Sequence, residues 1–372
     1  MFLLVLGRQP KISLAELEAL FGPQNITPLS NQLALVRAEK LPLDRLGGVI
    51  KAGQITTAPL LEYLSGLPPG KITLGFSDYS PRATAKTSGN KALKLKSVLK
   101  RHGRSVRIIP NNSAAALTSA TSHHNQLGEK TNHIEIITYQ QYTALSIGTQ
   151  NITAYARRDQ ARPARDAFVG MLPPKLAQTL INLATGLKTS GRLLDPFCGT
   201  GTVLQEALLM GFSVYGTDLS EKMITYSQKN LDWLASKPKE RVRNGIMLSV
   251  GDATSFTWQP PIDFIASEIY LGQPFSAPPS DIKLKEVKAT TKGILLSFLK
   301  NLHPQLKSGT PLALAIPAWR RPDLSFSHLN IIDEIEKLGY NVHKFKHATP
   351  SELLYYRENQ VVARQIIVLR KI

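Results

Sequence analysis

The chain has 372 residues, of which 42% are hydrophobic and 19% are charged. This length exceeds one typical domain, and this composition indicates a globular protein with a well-buried core. The 45 Lys and Arg residues outnumber the 27 Asp and Glu residues, and the net charge of +18 favours a polyanionic partner. A single Cys excludes an intramolecular disulfide framework, and no apolar run reaches the roughly 18 residues of a membrane span. We therefore expect a cytoplasmic protein without a membrane span.

The first 150 residues alternate strand and helix patterns. The apolar run from Met1 to Leu6 predicts a first strand, and Ser13 with Glu16 forms a capping-box pattern that predicts a helix from Ser13 through Leu20. The other predicted elements are strands at residues 32–36, 49–55, 72–78, 105–109, 134–138 and 143–148, and helices at 90–102 and 117–127. This order predicts an α+β region.

One stretch of this region is strongly basic. No Asp or Glu occurs between Tyr79 and Gly128, whereas a solvated surface normally mixes both signs of charge. The pattern predicts that this stretch contacts the phosphates of a nucleic acid. The candidate residues are Lys86, Lys91, Lys94, Lys100, Arg101 and Arg104.

A glycine-rich turn follows a short apolar strand in the second half of the chain. The turn runs from Asp195 through Gly201, and a helical pattern starts near Val203. A strand, a tight turn and a helix N-terminus place backbone N–H groups around a ligand. The next strand ends at Asp218, about 20 residues further on, where an acidic side chain typically binds a ribose. Neither the GxxxxGK[ST] nor the GxGxxG pattern is present, so the usual cradles for a triphosphate or a dinucleotide are missing.

Several segments resemble one family of enzymes. DPFCGTG at 195–201 is similar to the S-adenosylmethionine motif of Rossmann-fold methyltransferases. KALKLKSVLKRHGRSVRII at 91–109 and ALTSATSHHNQL at 116–127 resemble a THUMP RNA-binding domain. The segments at 6–22, 154–166, 170–184 and 353–372 resemble, in order, the N-terminal unit, basic connector, entry helix and closing strands of one tRNA methyltransferase branch. The chain thus resembles the THUMP-containing tRNA guanine-N2 methyltransferases that modify guanosine 10.

The resemblance implies a domain organisation and a fold. It implies a ferredoxin-like α+β unit at 1–60, a THUMP-like domain at 61–152, a basic linker at 153–168 and a Rossmann-like methyltransferase domain at 169–372. The last domain should contain a seven-stranded mixed α/β sheet with an antiparallel last strand. The implied cofactor is S-adenosylmethionine and the implied partner is tRNA. Some relatives need a small activating subunit, and the sequence leaves this need open.

The resemblance also implies the residues of a cofactor site. These are Phe168, Asp195, Pro196, Phe197, Cys198, Gly199, Thr200, Gly201, Asp218, Leu219, Asp252 and Ala253. Phe168 corresponds to an aromatic residue near the cofactor, and a core Phe is the alternative. The histidines show no metal-ligand spacing, so we predict no metal site.

The predicted methyl-acceptor loop departs from the family pattern. Amino-methyltransferases of this class carry an Asp or Asn, two prolines and an aromatic residue after the fourth strand. Here the stretch is Ser267-Glu268-Ile269-Tyr270, which retains only the aromatic. Three interpretations follow. In the first, Glu268 supplies the carboxylate, Ser267 is a further acceptor and Tyr270 stacks on the base. In the second the methyl acceptor is a different amine, and in the third the protein binds RNA and cofactor without catalysis. We favour the first, and DNA adenine-N6 methylation is a further alternative.

Overall fold

The computed structural model describes residues 1–166, 171–237 and 245–372. The predicted cofactor residue Phe168 lies outside these described residues. The strands are β1 (Phe2–Leu6), β2 (Ile26–Pro28), β3 (Leu33–Val36), β4 (Val49–Ile55), β5 (Ile72–Asp78), β6 (Val106–Ile108), β7 (His133–Tyr139), β8 (Tyr142–Thr149), β9 (Arg192–Asp195), β10 (Ser213–Asp218), β11 (Ile246–Val250), β12 (Phe264–Glu268), β13 (Pro311–Arg320), β14 (Phe326–Ser327), β15 (Tyr340–Val342), β16 (Leu354–Tyr355) and β17 (Val362–Lys371). The α-helices are α1 (Pro10–Phe21), α2 (Leu60–Ser65), α3 (Ala85–Arg101), α4 (Ser119–His124), α5 (Ile152–Gln160), α6 (Pro174–Thr185), α7 (Thr202–Leu209), α8 (Glu221–Ala235), α9 (Asp281–Leu302) and α10 (Ile332–Lys337).

The chain divides into two compact units. The N-terminal unit comprises Met1–Pro10, Gln24–Asp44 and Val49–Ala154, and the C-terminal unit comprises Lys11–Pro23, Arg45–Gly48 and Tyr155–Ile372. This division differs from the predicted boundary at residue 60, because strands from both sides of that boundary belong to one sheet. It also assigns most of α1 to the C-terminal unit.

The N-terminal unit is built on an eight-stranded sheet with the order β2-β3-β1-β4-β8-β7-β5-β6. Helix α3 covers part of one face, where Ala92 and Leu99 join a buried cluster with Leu74 and Phe76. Thr84 caps α3 reciprocally with Thr87, so the helix begins at Ala85, earlier than predicted. The identity of this unit as a ferredoxin-like and THUMP-like region stays a prediction.

A fully buried ion pair lies inside the N-terminal unit. Lys51 and Glu135 are 1% and 0% exposed, and Lys51 Nζ lies 2.6 Å from Glu135 Oε1. Ser77 and Ser122 donate to the two carboxylate oxygens, and Lys51 also donates to the Leu117 carbonyl. Burial lowers the pKa of Lys51, while the adjacent carboxylate opposes this shift. Every charged atom of the pair therefore has a partner, as a buried pair requires.

The C-terminal unit is built on a mixed sheet whose main path is β11-β10-β9-β12-β13-β17-β15. Strands β9 to β13 are parallel, and β17, the last strand, is antiparallel to both β13 and β15. This path confirms the predicted seven-stranded mixed sheet, to which short β14 and β16 are added. Leu193 and Leu194 are fully buried in clusters on opposite faces, as expected for a parallel sheet covered by helices on both sides.

Helix α1 begins at Pro10 rather than at Ser13, so the predicted capping box was wrong. Ser13 donates through its hydroxyl to the Gly48 carbonyl at 2.7 Å. The Glu16 carboxylate is fully buried and accepts from the Gly47 and Gly48 amides and from Asn182. These two side chains fix segment 45–48 within the C-terminal unit, and burial raises the pKa of Glu16.

The predicted basic linker at 153–168 is part of the C-terminal unit from Tyr155 onward. Arg158 is 7% exposed and binds Glu206 on α7 with two hydrogen bonds, and Arg162 is 3% exposed and donates to Thr202. Because these arginines are buried against α7, they stabilise the fold rather than cover a flexible connector.

Candidate active site

The glycine-rich turn joins β9 to α7 at the carboxyl edge of the C-terminal sheet. Gly199 and Gly201 have φ values of +51° and +81°, which favour glycine. A Cβ at Gly201 would lie 2.9 Å from Ser227 Oγ, and Ser227 itself donates to the Gly199 carbonyl. The Cys198 amide donates to the Thr217 carbonyl, and burial raises the pKa of the Cys198 thiol, so this Cys has a packing role.

Asp218 stands at the end of β10 beside the turn. Its two carboxylate oxygens accept hydrogen bonds from the Gly199 amide at 3.0 Å and the Ser220 amide at 2.9 Å. The side chain is only partly buried, and desolvation raises its pKa. Each oxygen of a carboxylate has a second lone pair, so these contacts leave room for a ligand hydroxyl. The structure thus adds a second role for Asp218, which is to order the turn.

Asp195 ends β9 and is the most enclosed acid of the site. It is 2% exposed, and its Oδ1 accepts from the Ser267 hydroxyl at 2.6 Å. Burial raises the pKa of Asp195 to about 7, and the nearby carboxylates of Asp218 and Glu268 add to this shift. Ser267 is fully buried by this contact, so its hydroxyl is committed to Asp195. Its predicted role as a substrate acceptor stays a prediction.

Glu268 ends β12, and its carboxylate is anchored on one side only. Arg364 on β17 donates from Nε to Glu268 Oε1 at 2.6 Å. The side chains of Arg364 and Glu268 are 5% and 13% exposed. Desolvation raises the pKa of Glu268, while Arg364 opposes the shift. The pairing orients the carboxylate at the strand end without enclosing it.

Large apolar side chains line the same edge in exposed positions. Leu219 after β10 is 73% exposed, Val250 at the end of β11 is 49% exposed, and Tyr270 after β12 is 45% exposed. Exposed apolar side chains that lie close together are typical of surfaces that bind a ligand. Asp252 is exposed and binds the Thr254 amide and hydroxyl through Oδ1. Ala253 is buried, and its carbonyl accepts from Asn301.

The remaining predicted turn residues serve the fold as well. Phe197 packs edge-on against Phe298 with ring centroids 5.2 Å apart, and Pro196 accepts from the Thr217 hydroxyl. Thr200 is buried, and its carbonyl accepts from Asn230 on α8. The turn is therefore rigid before any ligand binds.

The position of the three acids indicates which kind of ligand this sheet edge favours. Asp195 and Glu268 flank the point where the strand order reverses between β9 and β12, and ligands of open α/β sheets bind at this point. Asp218 follows on the next strand, β10. Three coupled carboxylates repel phosphate and favour a cationic ligand. This electrostatic pattern agrees with the missing phosphate-binding lysine.

Comparison with known proteins finds a family model that is similar to this part of the chain. Residues 162–318 match the family described as UPF0020: RMKL-like, methyltransferase domain. The matched residues lie within the C-terminal unit from Arg162 onward. This result confirms the predicted methyltransferase domain, which the glycine-rich turn and the acidic strand ends had indicated.

Curated relatives are similar to part of the chain. The tRNA (guanine(10)-N2)-dimethyltransferase of Methanothermobacter thermautotrophicus is 32% identical over 163 residues, which cover 43% of this chain and 44% of that protein. The enzyme of the same name from Pyrococcus abyssi is 40% identical over 83 residues, 22% of each chain. The matches thus span less than half the length of these two relatives. TrmN from Thermus thermophilus aligns over 100% of both chains with 18% identity and a TM-score of 0.48.

The predicted nucleic-acid-binding residues lie in or just after α3 of the N-terminal unit. Lys86, Lys94, Lys100 and Arg101 are exposed. Lys91 forms an ion pair with Asp78 at 2.6 Å, and Arg104 donates to the Pro68 carbonyl. The last two residues therefore also hold the fold together.

The described residues also bear on metal binding and on membrane spans. Within residues 1–166, 171–237 and 245–372, no three His, Cys, Asp or Glu side chains lie close enough to hold a metal ion. No helix in those same ranges is long and apolar enough to cross a membrane.

Arg364 is the site residue that sequence reasoning missed. It lies 96 positions from Glu268 in the chain, and its buried position follows from the antiparallel insertion of β17 beside β13. An arginine just before the apolar run Ile366–Leu369 was the available signal, since a buried arginine is normally paired.

Proposed function

We propose that this protein is an S-adenosylmethionine-dependent RNA methyltransferase that methylates the N2 amine of a guanosine in tRNA. The group of three carboxylates at the carboxyl ends of β9, β10 and β12 is the observation that carries the proposal. These carboxylates suit a ligand with a sulfonium and an ammonium group. The names of the curated relatives support the choice of tRNA and of guanine N2.

The residues present fit this cofactor. Asp218 can accept from the ribose hydroxyls, and the exposed Leu219 and Val250 can cover the faces of an adenine ring. The turn at 195–201 would hold the methionine portion, and Asp252 and Ala253 would hold the adenine rim. When bound, S-adenosylmethionine supplies an electrophilic methyl group.

Glu268 and Tyr270 prepare the acceptor amine in this proposal. The lone pair of the guanine amine is delocalised into the ring, so the amine must be oriented before it can attack. Glu268 accepts a hydrogen bond from the amine through the carboxylate oxygen that Arg364 leaves available. Tyr270, which is 45% exposed, stacks on the base after it leaves the RNA helix.

The N-terminal unit supplies the RNA-binding surface in this proposal. Lys86, Lys94, Lys100 and Arg101 present unmixed positive charge along α3, which suits a phosphate backbone. The THUMP-like character of the unit and a cytoplasmic location belong to the same proposal.

Mass spectrometry of nucleosides tests the proposed function. The full chain is incubated with methyl-labelled S-adenosylmethionine and, in separate reactions, with unmodified tRNA or duplex DNA. We expect labelled N2-methylguanosine or N2,N2-dimethylguanosine in the tRNA reaction. Labelled N6-methyladenine in the DNA reaction would favour the DNA enzyme instead, and binding of tRNA and cofactor without any transfer would favour the non-catalytic alternative.

A further inference from the structure

A hairpin of the C-terminal unit carries cations beside the candidate active site. We define the Arg320 hairpin as residues 319–327, which connect β13 to β14. Glu268 pairs with Ala315 on parallel β13, so β13 continues five residues past the end of β12. At about 3.3 Å per residue, the hairpin begins at Trp319, roughly 13 Å beyond the edge that holds the three acids.

The base of this hairpin is rigid. Trp319 is fully buried, and its backbone pairs with Ser327 on β14 and Val362 on β17. The Arg320 guanidinium lies over two rings, 5.3 Å from the Phe326 centroid and 5.7 Å from the Tyr356 centroid. Its Nη1 also donates to the Glu358 carbonyl at 2.5 Å. These contacts hold one positive charge in a fixed position.

Two further cations stand at the hairpin without a carboxylate partner of their own. Arg321 is exposed, and its side chain has no hydrogen bond or ion pair in the part of the chain that the structure describes. Lys288 on α9 donates to the Ser327 hydroxyl, and its pKa is lowered by desolvation and by the nearby charges of Arg321 and Lys292. Asp323 is the acid of the hairpin. Its Oδ1 accepts from the amide and hydroxyl of Ser325, and these bonds, together with the nearby charge of Arg321, lower its pKa. Like charges held together in this way attract an anion.

The tip of the hairpin exposes an apolar residue in an unfavourable backbone conformation. Leu324 is 70% exposed and has φ of +67°, which is rare for a residue with a side chain. Glycine would be more stable in this conformation, so a fold requirement does not explain leucine here. A large apolar group at such a position suits contact with an unstacked base.

We propose that the Arg320 hairpin binds the RNA backbone beside the methylated guanosine, with Arg321 and Lys288 on phosphates and Leu324 on a neighbouring base. This inference rests on the proposed function for the identity of the polyanion. It adds an RNA contact within the C-terminal unit to those predicted for α3. The charge complementarity and the shared sheet edge with Glu268 and Tyr270 favour RNA as the occupant.

The first test measures binding of unmodified tRNA to the full chain as a function of salt. The double variant Arg321→Ala/Lys288→Ala should reduce the slope of log affinity against log salt by about 1.4–1.8, at roughly 0.7–0.9 for each phosphate contact. The matched control Lys307→Ala, an exposed cation before the amino end of β13, should leave the slope near that of the parent. Equal slopes for the parent and the double variant would overturn the proposal, and so would a parent that does not bind tRNA.

The second test distinguishes a role of Leu324 in RNA binding from a role in stability. Leu324→Gly should preserve or raise the melting temperature, because it relieves the positive φ, but it should raise KM for tRNA and lower the transfer rate. A glycine variant with parental kinetics would remove the base contact from the proposal. If the parent transfers no methyl group to tRNA, the proposed function fails, while the salt series still decides whether the hairpin binds RNA.

Discussion

Each unit of the molecule contains a carboxylate paired with a cation on a β-sheet, and the two pairs differ in how completely they are satisfied. Glu135 in the N-terminal unit is fully enclosed, and both of its oxygens accept hydrogen bonds. Glu268 in the C-terminal unit is 13% exposed and receives Arg364 on one oxygen. A fully satisfied buried pair serves the fold, whereas a half-satisfied carboxylate at the carboxyl end of a strand retains the capacity to bind a ligand.

The largest expected effect is a loss of stability in Glu135→Ala. The substitution leaves the buried Lys51 ammonium without its partner, so we expect the free energy of unfolding to fall by about 3–5 kcal/mol. Urea unfolding measures the change. The double variant Lys51→Met/Glu135→Leu should be far less destabilised, because it removes both charges. A loss below about 1 kcal/mol for Glu135→Ala would mean that the pair is not structural.

Glu268→Gln should reduce methyl transfer rather than the stability of the fold. It keeps an acceptor oxygen but removes the charge, and we expect single-turnover methyl transfer to fall by about 10²–10³ with little change in the binding of tRNA and cofactor. Glu286→Gln, an exposed carboxylate on α9, is the control. If Glu268→Gln loses stability but retains the parental transfer rate, Glu268 belongs with Glu135 as a structural residue.

The two pairs also differ from the glycine turn in how far they could be predicted. The turn and Asp218 are recognisable because their residues are neighbours in the chain, and Gly199 contacts Asp218 across only 19 positions. Lys51 and Glu135 are 84 positions apart, and Glu268 and Arg364 are 96 apart. Pairs of this kind depend on strand order and register, which local patterns do not specify.

The same distinction explains the errors at the N-terminus. Ser13 and Glu16 have the spacing of a capping box, but their partners are Gly47, Gly48 and Asn182, which only tertiary packing brings near. The basic connector was predicted from a family resemblance of its local sequence, and local sequence does not show that Glu206 and Thr202 accept from Arg158 and Arg162. The parallel strands and their acidic ends were predictable, because each signal was complete within a few residues.

Asp218 tests whether a carboxylate with two backbone contacts can still bind a ligand. Asp218→Ala should weaken S-adenosylmethionine binding by about 1.5–3 kcal/mol, the range for hydrogen bonds to a charged group. Calorimetry measures the affinity, and the melting temperature reports any loosening of the turn. Asp263→Ala is a matched control, because Asp263 also accepts from a backbone amide, that of Arg192, at the amino end of the same sheet. Equal affinities for Asp218→Ala and the parent would remove Asp218 from the cofactor site.

Asp195 should make the free energy of unfolding depend on pH. Its pKa rises from 3.8 to about 7 in the folded protein, mainly because it is buried. Between these values the folded state holds a proton that the unfolded state has lost, so this group makes stability fall as the pH rises, by at most about 1.4 kcal/mol per pH unit. Unfolding free energies of the parent and Asp195→Asn across this window should diverge accordingly. Parallel curves would show that Asp195 is ionised throughout.

Three exposed lysines of α3 differ most from the buried Glu135 pair, because the described part of the fold leaves their charges unpaired. Replacing Lys86, Lys94 and Lys100 together by Ala should leave stability near the parental value, because all three are exposed. The slope of log tRNA affinity against log salt should fall by about two to three, because three phosphate contacts and their released counterions are lost. The control replaces Lys40, Lys71 and Lys130, three exposed lysines of the same unit outside α3, and makes the same change in net charge. If both triple variants reduce the slope equally, the effect is one of total charge, and α3 is an ordinary solvated helix.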